Sequence, residues 1–132
     1  MKSSITLFTV SFILILMTWG CNKNKDYRNA YTGNYNFVVN YRIYFSPDSV
    51  KFDTMINYDG AISKGQSDND IIIQFLANNY IDGILSETGK IYKIPGTGLG
   101  WSFGGYFDGS DKISLSISYD NGFSYQITGN RR

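Results

Sequence analysis

Residues 33–45 read GNYNFVVNYRIYF, and their spacing decides the fold. Tyr35, Phe37, Val39, Tyr41, Ile43 and Phe45 take every odd position, while Asn34, Asn36, Asn40 and Arg42 take most of the even ones. Alternation with period 2 puts one set of side chains on each face of a strand, so this is a long strand with one face in a core. The same signature recurs downstream. Val50, Phe52, Ile56 and Tyr58 alternate with Lys51, Asp53 and Asn57, and Ile71 to Leu76 is a short, nearly continuous apolar run. Tyr80 to Leu85 and Lys90 to Ile94 flank Glu87-Thr88-Gly89, where a two-residue Thr-Gly turn would set Glu87 opposite Lys90. Trp101 to Phe107, Lys112 to Tyr119 and Phe123 to Thr128 complete a set of eight, and no amphipathic helix of useful length interrupts them. The expected fold class is all-β: an antiparallel meander of about eight strands closed as a small barrel, with a β-sandwich as the alternative.

Parity sharpens the last two turns. Trp101, Phe103, Phe107, Ile113, Leu115, Ile117, Tyr119, Phe123, Tyr125 and Ile127 are all odd. A two-residue hairpin loop faces odd with even, so apolar sides coincide only if both loops have an odd number of residues. Asp120-Asn121-Gly122 then forms a three-residue loop with Gly122 in the left-handed position, and Gly109-Ser110-Asp111 does the same with Asp111 there. Nine aromatic residues (Tyr35, Phe37, Tyr41, Phe45, Trp101, Phe103, Phe107, Phe123 and Tyr125) fall on the inner face. An eight-stranded interior is only wide enough to be packed by side chains or to hold one small ligand, so this filling argues against a deep cavity.

Ahead of the barrel stands a different kind of segment. Lys2 precedes an apolar stretch, Ile5 to Met17, of 13 residues, short of the roughly 20 that a spanning helix needs and suited to the core of a signal peptide. The chain's single cysteine follows it, in Thr18-Trp19-Gly20-Cys21. This resembles the lipobox of bacterial lipoproteins, with Trp19 departing from the small residue usual at its place. The resemblance implies cleavage after Gly20 and acylation of Cys21, by a diacylglycerol thioether and a further chain such as palmitate. Acyl chains at about 0.8 kcal/mol per buried methylene hold a protein on a bilayer without a spanning helix. The expected organisation is residues 1–20 as signal peptide, 21–32 as a lipid-anchored tether reaching up to about 40 Å, and 33–132 as one barrel domain. The same resemblance implies, from Asn22 rather than Asp after the cysteine, sorting to the outer membrane of a Gram-negative cell envelope.

Composition narrows the chemistry. The chain has no histidine, and a lone cysteine forms no internal disulfide. A Ser-His-Asp triad, a Cys-His pair and an ordinary zinc site are therefore out of reach, and no cofactor or metal site is expected. Asp68 with Asp70, and Asp108 with Asp111, sit among Gly, Ser and Asn in settings where Asp serves turns, and neither pair continues into a calcium-loop ladder. The run IPGTGLGWSFGG, 94–105, lacks the Gly-Lys-Ser/Thr ending and following helix of a phosphate loop. Without the first 20 residues the chain carries 11 basic and 11 acidic groups, so nucleic acid is not an expected partner.

The folded part resembles the lipocalin-like, calycin-type domains of small bacterial lipoproteins. Gly33-Asn34-Tyr35 stands where lipocalins open with Gly-x-Trp, and the closing run 104–132 ends with Gly129 and Arg131. The resemblance implies a barrel and a binding role. The expected function is a non-catalytic, lipid-anchored binding module of the envelope. The alternatives are a carrier of a small apolar ligand and an inhibitor of an envelope lytic enzyme. Candidate partner-binding residues are Arg42, Tyr44 and Tyr106, where tyrosines fall out of phase with the core and Arg and Tyr are the types enriched at binding hot spots.

Overall fold

The computed structural model describes residues 25–46, 49–93 and 100–132, with side chains described outside 45–52. The expected signal peptide, Cys21, and the glycines 96 and 98 lie outside the described residues. A 3-10 turn, Tyr27–Ala30, precedes eight strands: β1 (Gly33–Ser46), β2 (Ser49–Lys64), β3 (Asp70–Leu76), β4 (Asn79–Leu85), β5 (Lys90–Lys93), β6 (Trp101–Asp108), β7 (Lys112–Tyr119) and β8 (Phe123–Arg131). Each pairs antiparallel with the next, and β1 pairs with β8 from Tyr35↔Arg131 to Ile43↔Phe123, which closes the barrel. Closure removes the sheet edges that an open meander would expose.

The odd-with-odd pairing of the last hairpins is present. Phe107 faces Ile113, Leu115 faces Ile127, and Ile117 faces both Phe103 and Tyr125. Phe107, Ile113, Leu115 and Ile117 are buried, and Trp101, Phe103 and Tyr125 pack against them, while Lys112 and Ser116 are exposed. Gly122 takes the left-handed position of its loop, at φ +85°. In the 109–111 loop that position belongs to Gly109, at φ +67°, rather than to Asp111. Glycine meets the left-handed conformation without the Cβ penalty. The Thr-Gly turn also needs correcting. Leu85 pairs with Ile91, and the Ser86 N–H donates to the Lys90 carbonyl at 2.8 Å, so Ser86, not Glu87, faces Lys90 across a three-residue loop with Gly89 at φ +81°.

The core is tightly packed around Phe37. Its ring lies beside two glycines on the flanking strands, so that a Cβ at Gly60 or at Gly129 would come within 2.9 and 2.7 Å of ring carbons. Small residues on β2 and β8 thus make room for a large one on β1. The expected apolar positions of β2 are not buried where their side chains are described: Ile56 is 39% exposed and Tyr58 half-buried, and the buried residue of this strand is Ile62. The cause is length. β3 pairs with β2 only over Ala61–Lys64 and ends at Leu76, leaving the earlier part of β2 uncovered on that side.

The expected tether is partly folded. Residues from Asp26 onward turn back across one end of the barrel as a plug. Asp26 caps the 3-10 turn by accepting from the Arg28 N–H at 3.0 Å. Arg28 is buried and donates to the carbonyls of Ser67 and Asp70, while Tyr27 donates through its hydroxyl to the Leu85 carbonyl. Residues 26–32, expected to lie in the tether, are thus bonded to the barrel.

Candidate functional site

The two ends of the barrel differ in chemistry. At the plugged end, Tyr35 is fully buried, and its hydroxyl reaches the carbonyls of Tyr31 (2.8 Å) and Ser110 (3.2 Å). Burial pushes its phenol up to about 12, against the opposing pull of the Arg131 charge. Arg131, from the end of β8, donates to the Ala30 carbonyl at 2.8 Å and to the Thr32 carbonyl at 2.7 Å. The Tyr31 ring packs on Phe107 at 4.6 Å between centroids. Asp26 bridges Arg28 (2.8 Å) and Lys64 (2.9 Å), and hydrogen bonds from these two cations hold its carboxyl well below the usual carboxylate range. Carbonyls and the Asp26 carboxylate take up Arg28, and carbonyls take up Arg131, which closes the barrel at this end beside an open, charged cleft of about 610 Å³ lined by Lys25, Asp26, Tyr27, Arg28, Asp68 and Glu87.

The other end carries an aromatic cluster that is only half-buried. Tyr125 lies 4.9 Å from Tyr41 in a stacked arrangement, and meets Phe75 (5.7 Å) and Tyr119 (6.3 Å) edge-on. Burial first, then its tyrosine neighbours, raises the Tyr125 phenol above its ordinary value. Tyr41 also stacks on Phe123 at 6.0 Å. Trp101 pairs with Tyr119 across β6 and β7, with ring planes 24° apart and centroids at 6.2 Å. The Lys93 ammonium sits 4.1 Å from the centre of the Trp101 ring and donates to the Trp101 carbonyl at 3.0 Å. Beside these rings opens a cleft of about 320 Å³, lined by Tyr80, Ile81, Asp82, Trp101 and Tyr119. Tyr80 is 67% exposed and Tyr119 37%. Among the described residues, β5 pairs with β4 over Gly83–Leu85.

The structure does not gather the sequence-derived candidates into one site. Arg42 lies on the outer face of β1, ion-paired with Asp53 of β2 at 3.2 Å, and its guanidinium is raised above its usual range by Tyr44 first and Asp53 next. Tyr106 is exposed on the outer face of β6, opposite Lys90 and Ser114, and three strands away from β1 around the barrel. The cleft residues Tyr80 and Asp82 went unread as a site, although their signal was in the sequence. On β4 the odd positions Ile81, Gly83 and Leu85 turn inward, so Tyr80 is as far out of phase as Tyr44 or Tyr106. Among the described residues no three acidic, histidine or cysteine side chains converge in a metal-binding group.

Fold and site together define a small up-and-down β-barrel with one end plugged and the other rimmed by aromatic side chains. Set against family models, curated proteins and solved structures, the chain finds no match in any of the three.

Proposed function

We propose that the chain is a lipid-anchored, non-catalytic binding module of a bacterial cell envelope, presenting the aromatic end of its barrel to its partner. The observation that carries this reading is the asymmetry of the two ends. The described chain starts at the plug, and Cys21 lies five residues before Asp26, a span of at most about 18 Å. An acylated Cys21 holds the plugged end next to the bilayer and leaves the aromatic end as the far pole. Large aromatic side chains half-exposed at one pole of a small barrel are the kind of surface that binding sites use. The placement of Gly33-Asn34-Tyr35 against Arg131 supports the lipocalin-like reading of the barrel: a Cβ at Gly33, at φ +145°, would stand 3.1 Å from the Arg131 Nε.

Intact mass of the chain recovered from membranes tests the anchor. The expected mass is that of residues 21–132 carrying acyl groups on Cys21, and Cys21→Ser should release the chain from the membrane. Unchanged membrane attachment of Cys21→Ser, or a mature chain with a free thiol, refutes it. Photocrosslinking from Asn121, in the exposed β7–β8 loop at the aromatic pole, tests the presentation. Discrete adducts are expected there and not from Ser110 at the plugged pole; the reverse pattern refutes it.

A further inference from the structure

We infer that the cleft bounded by Tyr80, Asp82, Trp101 and Tyr119 binds a sugar ring, a pyranose unit of an envelope glycan. The inference deepens the binding-module reading and rests on it. Three classes of small ligand suit an aromatic cleft, and the geometry separates them. A quaternary ammonium or other cation is best held by rings that box it in and present unoccupied faces. Here Trp101 and Tyr119 lie within 24° of parallel, which makes a wall rather than a box, and the Lys93 ammonium already stands 4.1 Å from the centre of the Trp101 ring. A second cation would meet a like charge. A wholly apolar ligand fits no better. It would strip water from Asp82 and Tyr80, two polar residues of the cleft lining, and return no hydrogen bond to either.

A pyranose satisfies both halves of the lining. One face of the ring is a flat patch of C–H groups, whose partial positive charge suits the negative face of Tyr119, while Lys93 stands over the Trp101 ring beside it. Its rim is a set of hydroxyls that donate to the Asp82 carboxylate, an acceptor only, and exchange hydrogen bonds with the Tyr80 hydroxyl, which both donates and accepts. The volume of about 320 Å³ admits a monosaccharide unit of a longer chain. Tyr80, at 67% exposure, is not needed for packing, so its role is separable from stability.

Trp101 supplies its own reporter. The sequence has two tryptophans, Trp19 and Trp101, so the full chain carrying Trp19→Phe has the cleft residue as its only tryptophan. That protein is titrated with chitohexaose, maltohexaose and glycan strands released from peptidoglycan, and separately with choline and laurate, following Trp101 emission. At least one of the three glycans is expected to give a saturable change. Tyr80→Ala should weaken that binding about tenfold, equivalent to 1.4 kcal/mol, and Asp82→Asn should weaken it as well, both with unchanged thermal midpoints. No saturable response to any glycan overturns the inference. So does binding that Tyr80→Ala leaves intact, or a saturable response to choline or laurate alone. Discrete crosslinks from Asn121 in a protein that ignores all three glycans would leave the module reading standing and remove only the sugar.

Discussion

Replacing Gly129 with alanine tests the packing at the centre of the barrel. Gly129 pairs with Phe37 on one side and Ile113 on the other, so its inward face is shared by two fully buried side chains. A methyl there would stand 2.7 Å from two carbons of the Phe37 ring and 2.8 Å from the Ile113 Cγ2. These contacts are closer than van der Waals separation. The ring cannot retreat toward β2, since Gly60 already lies against its opposite edge. Overpacking a close-packed site costs about 1–3 kcal/mol. Removing a strand glycine returns about 0.5–1 kcal/mol through the unfolded chain. The net expectation for Gly129→Ala is a loss of about 1–2 kcal/mol, a fall in Tm of about 4–8 °C for a domain of this size. Gly104→Ala is the control: nothing lies within 4 Å of its Cβ position and its φ is not positive, so only the gain remains and Tm should rise by about 2–4 °C. Thermal melts followed by circular dichroism measure both. Adding Phe37→Leu to Gly129→Ala should cost less than Phe37→Leu costs alone, because the two sites share one volume. Gly129→Ala melting at or above the unsubstituted protein would refute the account of Phe37 wedged between two glycines.

Titration of Tyr35 should be visible in alkali: its folded phenol lies above the ordinary 10.0, so the stability it contributes is intact below pH 10 and lost as pH rises toward 12. Denaturation midpoints measured across that window should fall, by an amount equivalent to roughly 2–3 kcal/mol, and Tyr35→Phe should flatten that part of the profile. Asp26 works in the opposite direction. Its folded carboxyl lies below the ordinary 3.8, so its contribution is present above about pH 4 and disappears as pH falls further. Amide exchange of Arg28, Tyr31 and Thr32, whose N–H groups are bonded within the plug, should quicken in acid in the unsubstituted protein and be quick at all pH values in Asp26→Asn. Arg131→Met should free the carbonyls of Ala30 and Thr32 and speed exchange of the same amides, while leaving those of β3 and β4 protected.

Much of the barrel was legible because its strands obey period 2 and its turns obey parity. Ile113, Leu115, Ile117 and Tyr125 could be placed on one face from their numbers alone, and the odd loop lengths followed. The same parity, applied to Leu85 and Ile91, also requires an odd loop around Thr88, and the three-residue loop obeys it. The plug was hidden for a different reason. Four residues of 3-10 turn have no period to detect, and the polarity of Asn22 to Asn29 matches a solvated linker. What marks it is Tyr27 and Tyr31, two aromatic residues that a solvated linker has no use for and that pack on the core here. The cleft brings Tyr80 and Asp82 of β4 together with Trp101 of β6 and Tyr119 of β7, a convergence across strands that alternation along one strand does not encode.

The seam between β1 and β8 also governs how the molecule comes together. Seven of the eight strand pairings join neighbours in sequence, but the seam joins Tyr35 to Arg131, 96 positions on. Closing a longer loop costs more chain entropy, so the hairpins form first and the seam last. Until then the chain is an open sheet with two raw edges, and the N–H and C=O groups of β1 and β8 are available to any complementary strand. The most complementary strand in a concentrated solution is the other edge of a second copy. Refolding at high concentration should therefore yield exchanged dimers, in which β1 of each chain seals the barrel of the other, and dilution before refolding should favour the monomer.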